Sequence, residues 1–342
     1  MRAIFLFSMT LRSFLLRRII YTVILVFLVI IVNWLIFEGI PGQSGAAAFL
    51  TNNPRIAQNK QAVANLCALW KCNASRTDQF FSYLHNMLTF QFGNSFQNGQ
   101  SIATNIIQQN RLQNTLLLLG SSTILAIIIG VVLGIIASSR RDSFLDKTTV
   151  SASLSTFALP TFWIGEVLIL VFAIGFGWFP SGGTTPVTFS IPGQAPPLLN
   201  QILIRIQYLF LPALTLTLFT YGGFVLLTRA TMLEALNEDY IVTAKAKGLS
   251  RRTILFHHAF KNASLPVITS SALAFGGILA GAIITETVFA WNGLGFYLFQ
   301  AVQVKDFPVM QAMFYLISLT VIAANFISDI LYGIVDPRIR YE

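Results

Sequence analysis

Residues 234–266, EALNEDYIVTAKAKGLSRRTILFHHAFKNASLP, decide how the rest of the chain is read. This charged, helix-forming segment stands between two long apolar runs. Long apolar runs place a chain in a bilayer. A short, structured polar element between two of them indicates that something on the aqueous side docks there. Asp239 lies near the expected helix start, Lys245 and Lys247 lie near its end, and Gly248 follows. That charge order suits the helix dipole, and glycine suits a left-handed C-terminal cap. Small residues at Thr243, Ala244 and Ala246 give the helix a slim profile that fits a partner's groove. A surface helix merely linking two spans satisfies the same physics. The chain has no Gly-Lys-Ser/Thr with upstream glycines, and so no phosphate-cradling loop of its own.

Composition agrees with a membrane setting. Apolar residues make up 55% of the 342 and charged residues only 10%, against about 25% charged in soluble domains. The shortage of charge comes in blocks, the pattern of a polytopic membrane protein. A net charge of +9 could serve nucleic acid or anchor basic loops at a membrane. The basic residues flank apolar runs, which favours the membrane.

The first candidate span is 19–37, preceded by Arg12, Arg17 and Arg18. A cleaved signal peptide has a similar outline, but the run is long and no small-x-small site precedes Glu38. Residues 38–110 form a polar insert rich in Asn, Gln and Ser, with short helices expected near 56–70 and 77–90. Further spans are expected at 112–137, 150–176 (kinked at Pro160), 208–227, 265–289 and 310–335. Residues 177–207, rich in Pro and Gly, read as an irregular loop. The expectation is an all-α polytopic fold with six transmembrane helices. It comprises a basic N-terminus (1–18), the insert, a core over 111–335 holding the polar segment 234–263, and a tail (336–342). Placing the N-terminus, 138–147, 229–263 and the tail on one side gathers 15 of the 22 Lys and Arg. The positive-inside rule makes that side cytoplasmic, with both termini there and the insert outside.

Ionisable and polar residues inside spans default to function. Glu166, Glu286, Asn325 and Asp329 are the candidates for a polar path, and a helix–helix hydrogen bond is the alternative for each. Glu286, near the end of the fifth run, is expected in water. Asn325 and Asp329 are four apart and share a helix face. Cys67 and Cys72 are the only cysteines; an extracytoplasmic insert would permit a disulfide, and two free thiols are the other reading. With only His85 downstream they do not make a zinc site, and His257 and His258 lack a third ligand. Asn73-Ala74-Ser75 is a common glycosylation pattern. Trp291, Phe296, Tyr297 and Phe299 suit an interfacial aromatic belt. A hydrolase within the membrane needs a base at depth, and all three histidines lie outside the spans. An ion-gradient-driven transporter calls for paired midplane acids and inverted repeats, and no convincing repeat is present.

The segment 239–268, DYIVTAKAKGLSRRTILFHHAFKNASLPVI, resembles the cytoplasmic signature of ABC-importer permeases of the oligopeptide/dipeptide group. The likeness extends to LRSFLLRRII at 11–20, LQNTLLLLGSSTILAIIIGVVLGIIAS at 112–138 and FLDK at 144–147. It continues through LPTFWIGEVLILVFAIGFGWFPSGG at 159–183, ITETVFAWNGLGFYLFQAVQVKDFPVMQA at 284–312 and NFISDILYGIVDPRIR at 325–340. The resemblance implies a non-enzymatic permease subunit in the cell membrane that imports peptides, nickel chelates or, in some relatives, oligosaccharides. It implies a heterodimer with a second permease, two cytoplasmic ATP-binding subunits that hold ATP and Mg, and an external solute-binding protein. No cofactor or metal is expected on this chain. Asp239, Tyr240, Thr243, Ala244, Lys245, Ala246, Lys247, Gly248 and Leu249 are the implied coupling residues. Three features depart from the family pattern: Val242 stands where the broader signature opens with Glu, Glu166 replaces an aliphatic residue, and the insert around 45–80 matches nothing in the pattern.

Overall fold

A backbone crossing lipid must satisfy its own hydrogen bonds, and the apolar runs are accordingly helical. The structure is a computed structural model describing residues 11–39, 57–69, 74–186, 196–277 and 279–335. Helix α1 (Leu11–Trp34) ends in a π-turn, Leu35–Gly39. The insert carries α2 (Lys60–Leu69), α3 (Arg76–Leu88) and α4 (Ile102–Gln108). Long α5 (Arg111–Ser139) leads to α6 (Phe144–Ala158) and α7 (Thr161–Leu168), which runs on as a π-helix, Ile169–Gly175. Then come α8 (Leu198–Leu236), short α9 (Asp239–Ala246), and α10 (Arg251–Thr253) with its π-helical continuation Ile254–Ala259. The chain closes with α11 (Phe260–Gly277), α12 (Leu279–Val288), α13 (Leu294–Val304) and α14 (Phe307–Val335). Among the described residues the architecture is helical, relieved by one isolated β-bridge between Asn94 and Ser101.

Four helical stretches are long and apolar enough to cross a bilayer: Phe14–Glu38, Arg111–Ser139, Leu198–Leu236 and Phe307–Ile330. There are five if α6 and α7 together make one broken span. By length and composition the described residues give four or five of the six expected spans, and the run at 265–289 is described as α11 and α12 on either side of position 278, which lies outside the described residues. The expected kink at Pro160 is a full break of 103°. Proline forces its predecessor out of the helical region, and Leu159 is extended at ψ 139°. Pro160 then caps the next helix from outside, where its missing N–H costs nothing. The loop expected over 177–207 is shorter than its composition implied. Helix α8 starts at Leu198, directly behind Pro197, which serves as its N-cap.

The chain divides into two compact units. The first comprises Met1–Ile19, Leu116–Trp291 and Ala323–Glu342. Helix α8 is its centre, packing on α6, α7, α11 and α12. Helix α5 reaches α8 closely through small residues: a Cβ at Gly130 or Gly134 would sit 2.3 Å from Phe224 Cβ or 2.6 Å from Thr228 Cβ. Close approach of this kind is how helices gain packing energy in lipid. At the start of α6, Ser143 Oγ accepts from Asp146 N, and the Asp146 carboxylate accepts from Asp142 N at 2.9 Å. The same carboxylate is gripped by Arg229 of α8 through Nε at 2.6 Å and Nη2 at 2.8 Å. Arg18 of α1 pairs with Asp329 of α14 at 2.8 Å.

The second unit comprises Ile20–Thr115 and Asn292–Ile322. Its polar insert is tied to apolar helices at several points. Arg76 donates to Glu38 O at 2.7 Å, Gln311 donates to Glu38 Oε1 at 3.1 Å, and Asn33 donates to Gln311 O at 3.0 Å. Trp34 meets Phe80 edge-on, and Phe37 packs on Phe307 and Phe314. Buried Tyr83 on α3 has its phenol pushed above the usual tyrosine range, first by burial and then by the Glu38 charge. Asp306, in the α13–α14 junction, accepts from Ser95 Oγ, from Phe96 N at 3.1 Å and from Gln97 N at 3.3 Å. Asn114 donates to Asn292 O at 2.7 Å, and Arg111 stacks on the Tyr297 ring at 4.0 Å. Three members of the expected aromatic belt, Phe296, Tyr297 and Phe299, sit on a helix, α13, and Tyr297 among them lies under a cation.

Candidate coupling site

The segment that opened the sequence reading is a compact helix–turn–helix. Helix α8 ends at Leu236, and α9 occupies Asp239–Ala246 with Asp239 in its first turn and Lys245 in its last. Gly248 has φ +73°, in the left-handed region, and its N–H bonds back to Lys245 O at 2.9 Å. Open space surrounds the place of a Cβ there, so backbone conformation alone demands the glycine. Ser250 caps the next turn, its Oγ accepting from Thr253 N. Arg251 Nη2 donates to Ser139 O at the end of α5.

Helix α9 has two unlike faces. Ile241 and Ala244 are buried in a cluster with Ile135 of α5, Met232 and Ala235 of α8, and Ile254, Ala259 and Ala263 beyond the turn. Tyr240 packs half-buried against that cluster. Asp239, Val242, Thr243, Lys245, Ala246, Lys247, Gly248 and Leu249 are exposed. So the structure divides the predicted coupling set: Tyr240 and Ala244 hold the helix to its own subunit, and the other seven are free to meet a partner. Sequence reasoning missed Val242, which is 62% exposed. Its signal was present: an aliphatic residue one position after buried Ile241 must point away from the face that Ile241 buries. Beside α9 an open groove of about 340 Å³ is lined by Arg252, Thr253, Phe256 and His257.

The four path candidates are not brought together. Glu286 is fully buried on α12, where it was expected in water. Phe289 and Trp291, just beyond the end of α12, are buried as well. Asp329 is committed to Arg18, and Asn325 is exposed one turn earlier on α14. Glu166 is exposed on α7. Cys67 is half-buried on α2, whereas Cys72 and Asn73 lie outside the described residues.

Residues 130–341 match the family described as binding-protein-dependent transport system inner membrane component. The matched range takes in the whole of α6 to α14, the coupling segment included. The chain belongs to this family. It is thus a multi-pass membrane permease of the ABC-importer type, and the ion-gradient alternative falls away. Its relatives include the oligopeptide transport system permease protein AppB of Bacillus subtilis, 34% identical over 329 residues, 96% of this chain and 99% of AppB. The dipeptide transport system permease protein DppB of Escherichia coli K12 is 38% identical over 246 residues, 68% of this chain and 72% of DppB. The di/tripeptide transport system permease protein DppB of Pseudomonas aeruginosa is 34% identical over 273 residues, 77% of this chain and 81% of that protein. The AppB alignment leaves out so few residues that the insert of this permease must fall largely inside it.

Proposed function

We propose that this permease forms half of the translocation path of an ATP-driven peptide importer. It pairs with a second, homologous permease, receives its solute from an external binding protein, and is driven by two cytoplasmic ATP-binding subunits that carry the ATP and Mg. Both termini and α9 lie on the cytoplasmic side, as the clustering of basic residues favours. The names of the relatives support peptides as the solute class. The observation that carries the reading is the division of α9: Ile241 and Ala244 root it in the subunit, and Val242 and Leu249 stand exposed on either side of Lys245 and Lys247 in the chain. Exposed apolar side chains within a charged rim are the usual anatomy of a docking patch. ATP binding draws the two ATP-binding subunits together, and the rooted helix transmits the movement to α5, α8 and α11. The path then switches between two packings, a population shift set by the contacts each state makes.

The test is Val242→Asp in the complete complex. The variant permease is expected to insert normally, to lose at least half of its co-purifying ATP-binding subunits, and to lose ATP-dependent dipeptide uptake in proportion. Full retention of both would remove α9 from coupling. A complex that couples normally yet takes up no di- or tripeptide would remove peptides as the solute.

A further inference from the structure

Helix α7 leaves one carboxylate in an unusual position. It begins at Thr161 after the break at Pro160, and its inner face (Ile164, Gly165 and Leu168) is buried. A Cβ on Gly165 would stand 3.2 Å from Phe289 and Val288, so this face is locked against the end of α12. The lock fixes the helix rotation and leaves Phe162, Trp163 and Glu166 exposed together. They are spaced i, i+1 and i+4, which puts Phe162 and Trp163 one turn from Glu166 on its own side.

Four other acids in or beside the spans are already engaged. Asp146 holds Arg229, Asp329 holds Arg18, Glu38 accepts from Gln311, and Glu286 is buried with an interaction of its own. Among the described residues the Glu166 side chain has neither a hydrogen-bond nor an ion-pair partner. A carboxylate at the centre of a membrane helix costs about 2.5–3.5 kcal/mol if it faces lipid. An exposed carboxylate on this helix is better placed facing water, or a donor or cation that the subunit does not itself provide. Two aromatic rings beside a carboxylate form a favourable seat for a desolvated ammonium or guanidinium, since ring faces and carboxylate attract the same charge.

We infer that Phe162, Trp163 and Glu166 form a cation-selective wall of the translocation path, taking the ammonium or guanidinium group of a passing solute. The inference rests on the proposed role as half of a peptide path and names the peptides it favours: those with a basic side chain. Glu166 acts as a specificity residue, attracting the charge, and the two rings strip part of its hydration.

Uptake is measured in vesicles holding the complete complex, with its binding protein, for a lysine-bearing tripeptide against tri-alanine. Glu166→Gln preserves size and hydrogen bonding and removes only charge. It is expected to assemble and to lower the lysine-to-alanine uptake ratio about threefold or more. In a second experiment Cys67 and Cys72 are replaced by Ala, and Glu166→Cys is treated with a membrane-impermeant cationic thiol reagent. Labelling is expected in one nucleotide state and protection in the other, as for a residue in an alternating aqueous path. An unchanged uptake ratio, or no labelling in any nucleotide state, would overturn the inference. So would a Glu166→Leu variant whose first defect is loss of the second permease, which would place the carboxylate in the subunit interface. Import of neither tripeptide by the unmodified complex would instead reject peptides as the solute, and the labelling would still decide whether Glu166 lines water.

Discussion

The bond between Asp146 and Arg229 shows how much a single pair settles in this chain. Asp146 is almost wholly buried and is held by both prongs of the guanidinium while also capping the turn at Asp142. A bidentate pair fixes orientation as well as distance. Removing one partner of a buried pair strands the other charge and costs about 3–5 kcal/mol. Asp146→Ala should therefore lower the thermal midpoint of the purified permease by several degrees, and Arg229→Ala nearly as much. The double variant should fall well short of the sum, because the second removal frees no further charge. Strict additivity of the three midpoints would mean the pair is not coupled. Gly248 makes a different demand. Its φ of +73° is costly for a side chain with a Cβ, and the space around it is open. Gly248→Asn should be tolerated and Gly248→Val should not, by about 1–2 kcal/mol. Proteolysis within 247–251 reports the difference, and equal sensitivity of the two variants would count against a conformational role.

At the level of elements, α9 is too short to be stable alone. Isolated helices below about 12 residues are marginal in water, and this one has eight. Its stability comes from Ile241 and Ala244 in the cluster with α5, α8 and α11. Ile241→Ala should cost about 2–5 kcal/mol of local stability. Amide exchange over 239–249 should then accelerate by orders of magnitude, with α5 and α8 unchanged. Val242→Ala, on the exposed face, should leave exchange as it was. Acceleration by Val242→Ala and none by Ile241→Ala would reverse the assignment of faces. The break between α6 and α7 is an element-scale event with a residue-scale cause. One proline turns an apolar run that reads as a single span into two helices 103° apart. That turn locks Gly165 against α12 and leaves Glu166 facing outward.

For the molecule as a whole, the insert is the part whose placement composition hid. It is polar, yet it is fastened to its unit by groups at its two ends: Glu38 and Arg76 near the first helix, and Asp306 around the 95–97 turn. Asp306→Ala leaves the hydroxyl of Ser95 and the amide of Phe96 without their acceptor, and leaves the Gln97 amide only Ser95 Oγ. It should expose residues 94–100 to added protease in intact vesicles of the appropriate sidedness, and leave 138–147 protected. Resistance equal to the unmodified permease would show that apolar packing of Phe92 and Ile102, rather than the carboxylate, holds the turn.

Much of this was legible in the chain itself. Apolar runs at 19–37, 112–137, 208–227 and 310–335 specify helices because lipid leaves the backbone no other way to satisfy its polar groups. The cap at Gly248 and the charge order of α9 follow from rules that act over one turn. The family likeness was carried by local motifs of the same kind. What local rules cannot reach is which side of a helix finds a neighbour. That Ala244 is buried and Val242 exposed, that Glu286 is buried and Glu166 exposed, and that Asp146 belongs to Arg229 across 83 positions were decided only when α5, α7, α8 and α12 packed together. Helix rotation is set by the tightest steric contacts, at Gly130, Gly134 and Gly222, and those contacts lie between residues far apart in the chain.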